Sequence, residues 1–215
     1  MTSEWPIFTG VPREHVDRVL TSARRRTFAR GEVVFHEGDP ADTLHLVRAG
    51  RFAVRVTSQY ADSAVLAVVG PGRIFGELAL LSPGAPRSAT VAALEPAETL
   101  ALHQHDFARL RREHPATNEL LIAVLAEQVR RLSRQLLEAL HLPAETRVRL
   151  RVLELTDAYD GIIPLTQEEL AELAGTSRAT VNRVLRDDAR SGFVRLSRGE
   201  TELLDHDAVR RLAGV

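Results

Sequence analysis

The stretch LTQEELAELAGTSRATVNRVLRDDARSGFVRLSRGETELLD, residues 165–205, decides the fold of its half of the chain. Thr166 followed by Glu169 is a capping box: the threonine hydroxyl accepts from the backbone three residues on, and the glutamate accepts in return. Helical spacing then keeps Leu170, Leu173 and Ala174 on one face, and Gly175 supplies the turn that stops the helix. Ser177 can cap a second helix that buries Val181, Val184 and Leu185. Two short helices joined at a glycine form a helix-turn-helix pattern. The alternation in FVRLSRGETELL predicts a β-hairpin after them, a wing.

With that inner face fixed, the second helix presents Arg178, Ala179, Asn182, Arg183 and Arg186 outward. The first turns of such a helix are the part that enters a major groove. Arginine pairs with guanine O6 and N7, and asparagine with adenine N6 and N7, at about 1–3 kcal/mol of discrimination per good pair. Residues 176–198 hold six arginines (178, 183, 186, 190, 195 and 198) against Asp187 and Asp188. Positive charge therefore gathers where phosphates would lie, although residues 143–215 are slightly acidic as a whole. The expected contacts are Arg178 and Arg183 to guanines, Asn182 to a base edge, and Arg186 and Arg195 to phosphates. Thr166, Ser177 and Thr180, at the two helix starts, belong to the same expected DNA-binding set, as does Ala179.

Outward from this pattern, residues 144–158 read as a helix with Val148, Val152 and Leu155 inward, and Pro143 marks a domain boundary. Before it, Leu121, Leu125, Val129, Leu132, Leu136 and Leu140 step by threes and fours along one stripe. A helix of roughly 25 residues is about 38 Å long at ~1.5 Å per residue. That exceeds what a small domain needs to cover itself, so the stripe predicts a seam with a second copy of the chain.

Residues 12–24 carry Val16, Val19 and Leu20 at helical spacing, and helical spacing returns at 105–113. Between them the period is that of strands: 33–35, 43–49, 51–57, 63–69, 89–94 and 98–103, separated by turn signals. Gly31, Gly38, Gly50 and Gly72 fall at the junctions, where positive φ is often required. Strands this short and regularly spaced predict a closed, barrel-like antiparallel roll. The expected organisation is α+β: a β-roll domain over 1–114, a long dimerisation helix and hinge over 115–142, and a winged helix-turn-helix domain over 143–215.

Composition narrows the chemistry. The chain has 215 residues, 28 basic residues that are all arginine, 29 acidic ones, no cysteine and a formal net charge of −1. Disulfides, thiolate-ligated clusters and redox-switch thiols are excluded. No apolar run approaches ~20 residues, and MTSEWPIFTG does not read as a secretory signal, so a cytoplasmic location without a membrane partner is the expectation. The histidines show neither H-x-x-H nor HExxH spacing and suggest no metal site. Haem ligation by His36, His45 or His103 is possible in principle, but each reads better as a strand or surface histidine. No nucleophile–base motif appears, and the chain does not read as an enzyme.

One segment remains, FGELALLSPGAPRSATV at 75–91. Its Gly76-Glu77-Leu78 and Arg87-Ser88 pieces, with Leu165-Thr-Gln-Glu-Glu, Gly175 and Ser177-Arg178 through Arg183, resemble one family over nearly the whole chain. That family is the cyclic-AMP receptor proteins and fumarate-nitrate regulators (CRP/FNR). The resemblance implies that 75–91 is a phosphate-binding cassette. Gly76 would let backbone N–H groups approach a ligand, and the helical turn after it would point its positive end at an anion. Arg87 would neutralise a cyclic phosphate, Ser88 would add a hydroxyl hydrogen bond, and Glu77 would accept from a ribose 2′-hydroxyl.

The implied effector is cyclic AMP. The implied partners are a second copy of the chain, a palindromic duplex with half-sites about 34 Å apart, a spacing inherited from the family, and RNA polymerase through the loop 156–162. Two departures stand out. Aligned on Val129-Arg-Arg-Leu132, Gln135 and Leu136 replace the adjacent Thr-Ser pair that contacts adenine in the receptors; Gln135 can still reach a base edge. Ala179 stands where the family usually has glutamate, which predicts relaxed selection, or a different base, at one position of each half-site. The rival readings are the same fold with another effector or none, and a cyclic-nucleotide-binding regulatory subunit, which would need no helix-turn-helix.

Overall fold

The structure, a computed structural model, describes residues 5–59, 63–82 and 84–215. Pro83, in the loop that joins the two halves of the expected cassette, lies outside them, as do the first four residues. The described chain divides into two compact units: residues up to Arg131 other than Ser63–Val65, and Leu132–Val215 with Ser63–Val65.

In the first unit α1 (Arg13–Ser22) leads into β1 (Arg24–Phe28), β2 (Val33–Phe35), β3 (Thr43–Ala49) and β4 (Phe52–Thr57). β5 (Ser63–Val69), β6 (Ile74–Phe75), β7 (Thr90–Ala93) and β8 (Ala97–His103) follow, then α2 (Gln104–Glu113) and α3 (Ala116–His141). The strands form two sheets, β1-β8-β3-β6 and β2-β7-β4-β5, and the chain changes sheet at most turns. The roll is thus two packed sheets and not one closed ring. The spacing that predicted six strands missed β1, whose RRRTF is exposed but for Phe28, and the two-residue β6.

Strand period explains the layering. In β3, Leu44 and Leu46 pack with Trp5, Ile7, Phe8, Phe107, Leu110 and Leu121 on the helical side. Val47 faces the other way, among Phe28, Phe52, Phe75 and Val91 between the sheets. Alternate residues of a strand point to opposite faces, so Thr43 and His45 share the inward direction of Val47. The N-terminal segment, which has no periodicity of its own, is part of this core: Trp5 is buried and its indole N–H donates to the Val47 carbonyl at 3.1 Å.

The long helix changes character along its stripe. Leu121 is buried and Leu125 packs against the same cluster, whereas Val129, Leu136 and Leu140 are 63%, 60% and 67% exposed.

The second unit continues with α4 (Ala144–Ala158), β9 (Ile162–Ile163), α5 (Gln167–Ala174), α6 (Arg178–Arg190), β10 (Val194–Ser197), β11 (Glu200–Leu203) and α7 (His206–Ala213). The predicted hairpin is β10–β11, and β9 adds a third strand beside β11 that its two residues could not announce. The capping box at Thr166 is formed in both directions, and Ser177 caps α6 by accepting from the Thr180 N–H. Gly175 ends α5 at φ 58.

Gly50 tests how tightly the roll is turned. At φ 70 it occupies the left-handed region, and an added Cβ would lie 2.6 Å from both the Ala97 Cβ and the Pro96 carbonyl. Gly31, at φ 80, has open space instead. Gly50→Ala is expected to cost about 3 kcal/mol, strain and overlap together, against about 1–2 kcal/mol for Gly31→Ala. Urea denaturation of the two variants checks the order.

Candidate nucleotide and nucleic-acid sites

Within the roll, the cassette forms from β6, a 3₁₀ turn over Glu77–Leu80, and the approach to β7. Gly76 caps the turn at φ 78. A side chain there is excluded twice, since its Cβ would lie 2.8 Å from Arg87 Nη1 and 3.0 Å from the Thr43 carbonyl. Glycine therefore lets the Arg87 guanidinium approach the start of the turn.

Arg87 is only 6% exposed. Its Nη1 donates to the Thr43 carbonyl and its Nη2 to Thr43 Oγ1, both at 2.7 Å. The guanidinium lies 4.0 Å from the centroid of the Phe35 ring. Its backbone is pinned as well: the N–H donates to the Asp39 carbonyl and the carbonyl accepts from Gly38. Among the described residues its ion-pair partner is Asp42, at 4.0 Å, and Nε is buried with no hydrogen-bond partner. Burial pulls the arginine below its ordinary pKa, against the opposing pull of Asp42, Asp39 and Glu77. A buried cation with a donor to spare has the chemistry to take up an anion.

Glu77 is buried, and its Oε1 accepts from Gln128 Nε2 of α3 at 3.0 Å rather than pairing with Arg87. Gln128 escaped the sequence reading because nothing in its spacing distinguishes it from any other polar residue on the helix. Arg111 was missed likewise; its Nε donates to Asn118 at 2.6 Å and its Nη1 reaches the Leu80 carbonyl at 3.5 Å, bracing the turn from behind. Leu78 is 44% exposed and Ser88 is exposed. Gln135 lies on α3 past Arg131, in the second unit, and is half-buried.

Behind the cassette, His45 is buried and stacked on Phe75, with ring centroids 4.9 Å apart and planes 4° from parallel. Its Nδ1 meets Thr99 Oγ1 at 3.1 Å. Burial first, and then Arg87 and Arg26, lower its pKa from 6.5 to about 3.

In the second unit the expected groove-facing residues divide into two groups. Arg178, Ala179 and Arg186 are exposed. Among the described residues Arg178, Arg186 and Arg198 have no carboxylate in ion-pair reach. The others are engaged: Asn182 Nδ2 donates to Gln167 Oε1 at 2.8 Å, and Arg183 Nη2 to Glu145 Oε1 at 2.6 Å. Arg190 pairs with Asp187, and Arg195 with Glu202 across the wing. The Arg183 bond holds Glu145 below the usual carboxylate range and raises the arginine. Arg178 and Asn182 line a cleft between α5, α6 and the wing, together with Thr166, Gln167, Ser197 and Gly199.

α4 carries the frame for these helices. Arg147 donates to the Ala174 and Gly175 carbonyls at 2.9 Å, satisfying acceptors left open where α5 ends, and to the Leu142 carbonyl just before α4 at 2.8 Å. Arg149 grips Asp188, which is 3% exposed, at 2.8 Å. No sequence signal marks either arginine, since the partners on α5 and α6 lie well over twenty positions away along the chain.

Comparison with known proteins adds to this geometry. Residues 25–114 match the cyclic nucleotide-binding domain family, and residues 130–212 match the Crp-like helix-turn-helix domain family. The cyclic AMP receptor protein of Thermus thermophilus is 37% identical over 97% of this chain and 96% of its own length. A CRP-like cAMP-activated global transcriptional regulator of Mycobacterium tuberculosis is 29% identical over 96% of each. Among solved structures, the catabolite activator protein of Thermus thermophilus superposes with a TM-score of 0.56 at 36% identity, covering 97% of this chain and 98% of its own.

The neutral state of His45 sets a pH dependence. A group whose folded pKa is depressed below its unfolded value takes up its proton more readily when unfolded. Stability is therefore intact above 6.5 and falls as the pH drops toward 3, by about 1.4 kcal/mol per unit. Between about pH 7 and pH 5 the loss is expected to be about 2 kcal/mol, and His45→Gln should flatten the denaturation midpoints by that amount.

Proposed function

Because the chain belongs to the CRP/FNR family of transcription regulators, we propose that it is a cytoplasmic homodimer that binds a palindromic DNA site under the control of cyclic AMP held in its roll. The observation that carries the effector is Arg87, buried beside Gly76 with its Nε unsatisfied. A cyclic phosphate would bring the missing charge and acceptor. Glu77 would then accept from the ribose 2′-hydroxyl, in exchange with or beside Gln128. The exposed Leu78 and Ser88 would border the ligand, and Gln135 would meet the base edge.

The exposed part of the α3 stripe, Val129, Leu136 and Leu140, is the surface proposed to cover a second copy of the chain. A ligand that binds two arrangements of such paired helices unequally shifts the population toward one of them. Glu77 and Gln128 make that link direct, since the residue facing the nucleotide already holds the helix.

At the DNA, Arg178 is proposed to read a guanine from its open position. Arg183 must first exchange Glu145 for a base, and Asn182 must leave Gln167 or remain a positioning residue. Arg186 and Arg195 would meet phosphates, with Thr166, Ser177 and Thr180 holding the helix starts. Ala179 offers no acceptor to a cytosine. The loop 156–162 is the proposed contact for RNA polymerase.

Isothermal titration with cyclic AMP and cyclic GMP tests the effector. Heat is expected with cyclic AMP, and Arg87→Leu should weaken it by about a hundredfold or more while the protein keeps a cooperative unfolding transition. Undiminished affinity in that variant would mean that the cassette is misread. For the duplex, Arg183→Ala should cost about 1–3 kcal/mol on the selected palindrome and far less on random DNA. Glu145→Gln should tighten binding to both, because it releases the arginine. Equal losses on the two duplexes for Arg183→Ala would remove it from base reading.

A further inference from the structure

Among the described residues one group of three side chains brings two imidazoles and a carboxylate together: His15 of α1, Glu113 at the end of α2, and His114 directly after it. A ligand atom from each lies within 4.8 Å of the other two. The two rings meet edge to face with centroids 4.3 Å apart. His15 Nδ1 stands 3.6 Å from Glu113 Oε2, within reach of charge but too long for a hydrogen bond. His15 Nδ1 and His114 Nε2 are both buried, and neither has a hydrogen-bond partner. A buried ring nitrogen without a partner carries a desolvation cost that something must offset.

The other side of the His15 ring faces an acid. Its Nε2 lies 3.1 Å from the carboxylate of Glu14. Nδ1, on the inner edge of the ring, faces Glu113 and His114. A carboxylate at this distance can take the ring N–H by a small rotation of Glu14, the usual outer support of a metal ligand. The C-terminal end of α2 also favours a cation, because its last carbonyls carry the negative end of the helix dipole.

We propose that His15, Glu113 and His114 form a binding site for a divalent transition metal of the zinc type. Two imidazoles and one carboxylate are a donor set suited to Zn²⁺, with water in a fourth position. Tetrahedral bonds of about 2.0–2.1 Å place neighbouring donors about 3.3 Å apart, so the site closes by side-chain rotation and a shift on the order of 1 Å. Glu113 is 41% exposed on its side chain, which leaves an entry path. The ion would staple α1 to the junction where α2 ends and Pro115 precedes α3, within the unit that holds the cassette. Sequence spacing gives no sign of it, because one ligand comes from the first helix of the chain and two from the far end of the roll domain.

The test uses the full chain, without a histidine tag and stripped by a chelator, titrated with Zn²⁺ against a chromophoric competitor and followed by thermal unfolding. One equivalent per chain is expected to bind at micromolar concentration or tighter and to raise the melting temperature. His15→Gln and His114→Gln should each remove the binding and the thermal shift, while Glu14→Gln weakens binding by about tenfold. A His103→Gln/His105→Gln double variant, which removes the other close imidazole pair, should bind as the parent does. Failure of the parent chain to take up Zn²⁺ overturns the proposal, as does uptake that survives His15→Gln and His114→Gln or is lost in the double variant. Should either single variant unfold without metal, Glu113→Gln on the exposed edge serves in its place, and unchanged affinity there overturns the proposal as well.

Discussion

A guanidinium withdrawn from water must be given other partners, and Arg87 is given fewer than it can use. Two hydrogen bonds to Thr43 and the face of Phe35 offset part of the cost. The effective penalty for burying one ion is several kcal/mol, and a cation over an aromatic face returns about 0.5–2 kcal/mol of it. The direction of the arginine's pKa shows that burial outweighs the acids around it. Much of the surrounding roll is explained by this one constraint. Gly76 must lack a side chain so that the guanidinium can lie against it, and β3 must turn Thr43 inward. His45, on the same inward face, stays neutral, because burial and then the charges of Arg87 and Arg26 disfavour a second cation there.

The second unit handles its arginines in the opposite way, pairing many of them before any phosphate is present. Along α4, Glu145, Arg147 and Arg149 reach α6, the end of α5 and α6 again. Of these the Arg149–Asp188 pair is the most buried, and removal of one partner would strand a charge. The Arg183–Glu145 pair is solvent-exposed, where such pairs contribute little and are screened by salt. Exposure therefore separates a fixed strut from an exchangeable one: Asp188 keeps its arginine, and Glu145 can release its own to a stronger acceptor. The six arginines visible over 176–198 overstate the charge offered to DNA, since Arg183, Arg190 and Arg195 already hold carboxylates.

What could be read from the sequence follows from the range of each interaction. Thr166–Glu169, Gly175 and Ser177 act within one helical turn, so their pattern is local and the caps form as expected. The inward set Val181, Val184 and Leu185 obeys helical period and is buried. The strands of the roll were legible where hydrophobic alternation was strong, as in 43–49 and 63–69, and illegible in RRRTF, an edge strand with one buried residue. Trp5, Ile7 and Phe8 join the core through contacts with β3 and α2 that no local period encodes. Gln128, Arg111, Arg147 and Arg149 were invisible for the same reason: each bonds to a partner on another element, and polar residues carry no period of their own.

The long helix shows how one periodic feature can hold two meanings. Its stripe runs unbroken through Leu121, Leu125, Val129, Leu132, Leu136 and Leu140, so periodicity alone weights every position equally. The first two belong to the roll's own core, and beyond them the apolar side chains emerge into solvent. Gln128 sits next to that change and holds Glu77 through a single hydrogen bond to a carboxylate, worth about 1.5–3 kcal/mol. A stronger contact would tie the helix to the cassette whether or not a ligand were bound, and none at all would leave occupancy without effect on the helix. The proposed effector contact and the surface proposed for the second chain thus meet within one turn of α3.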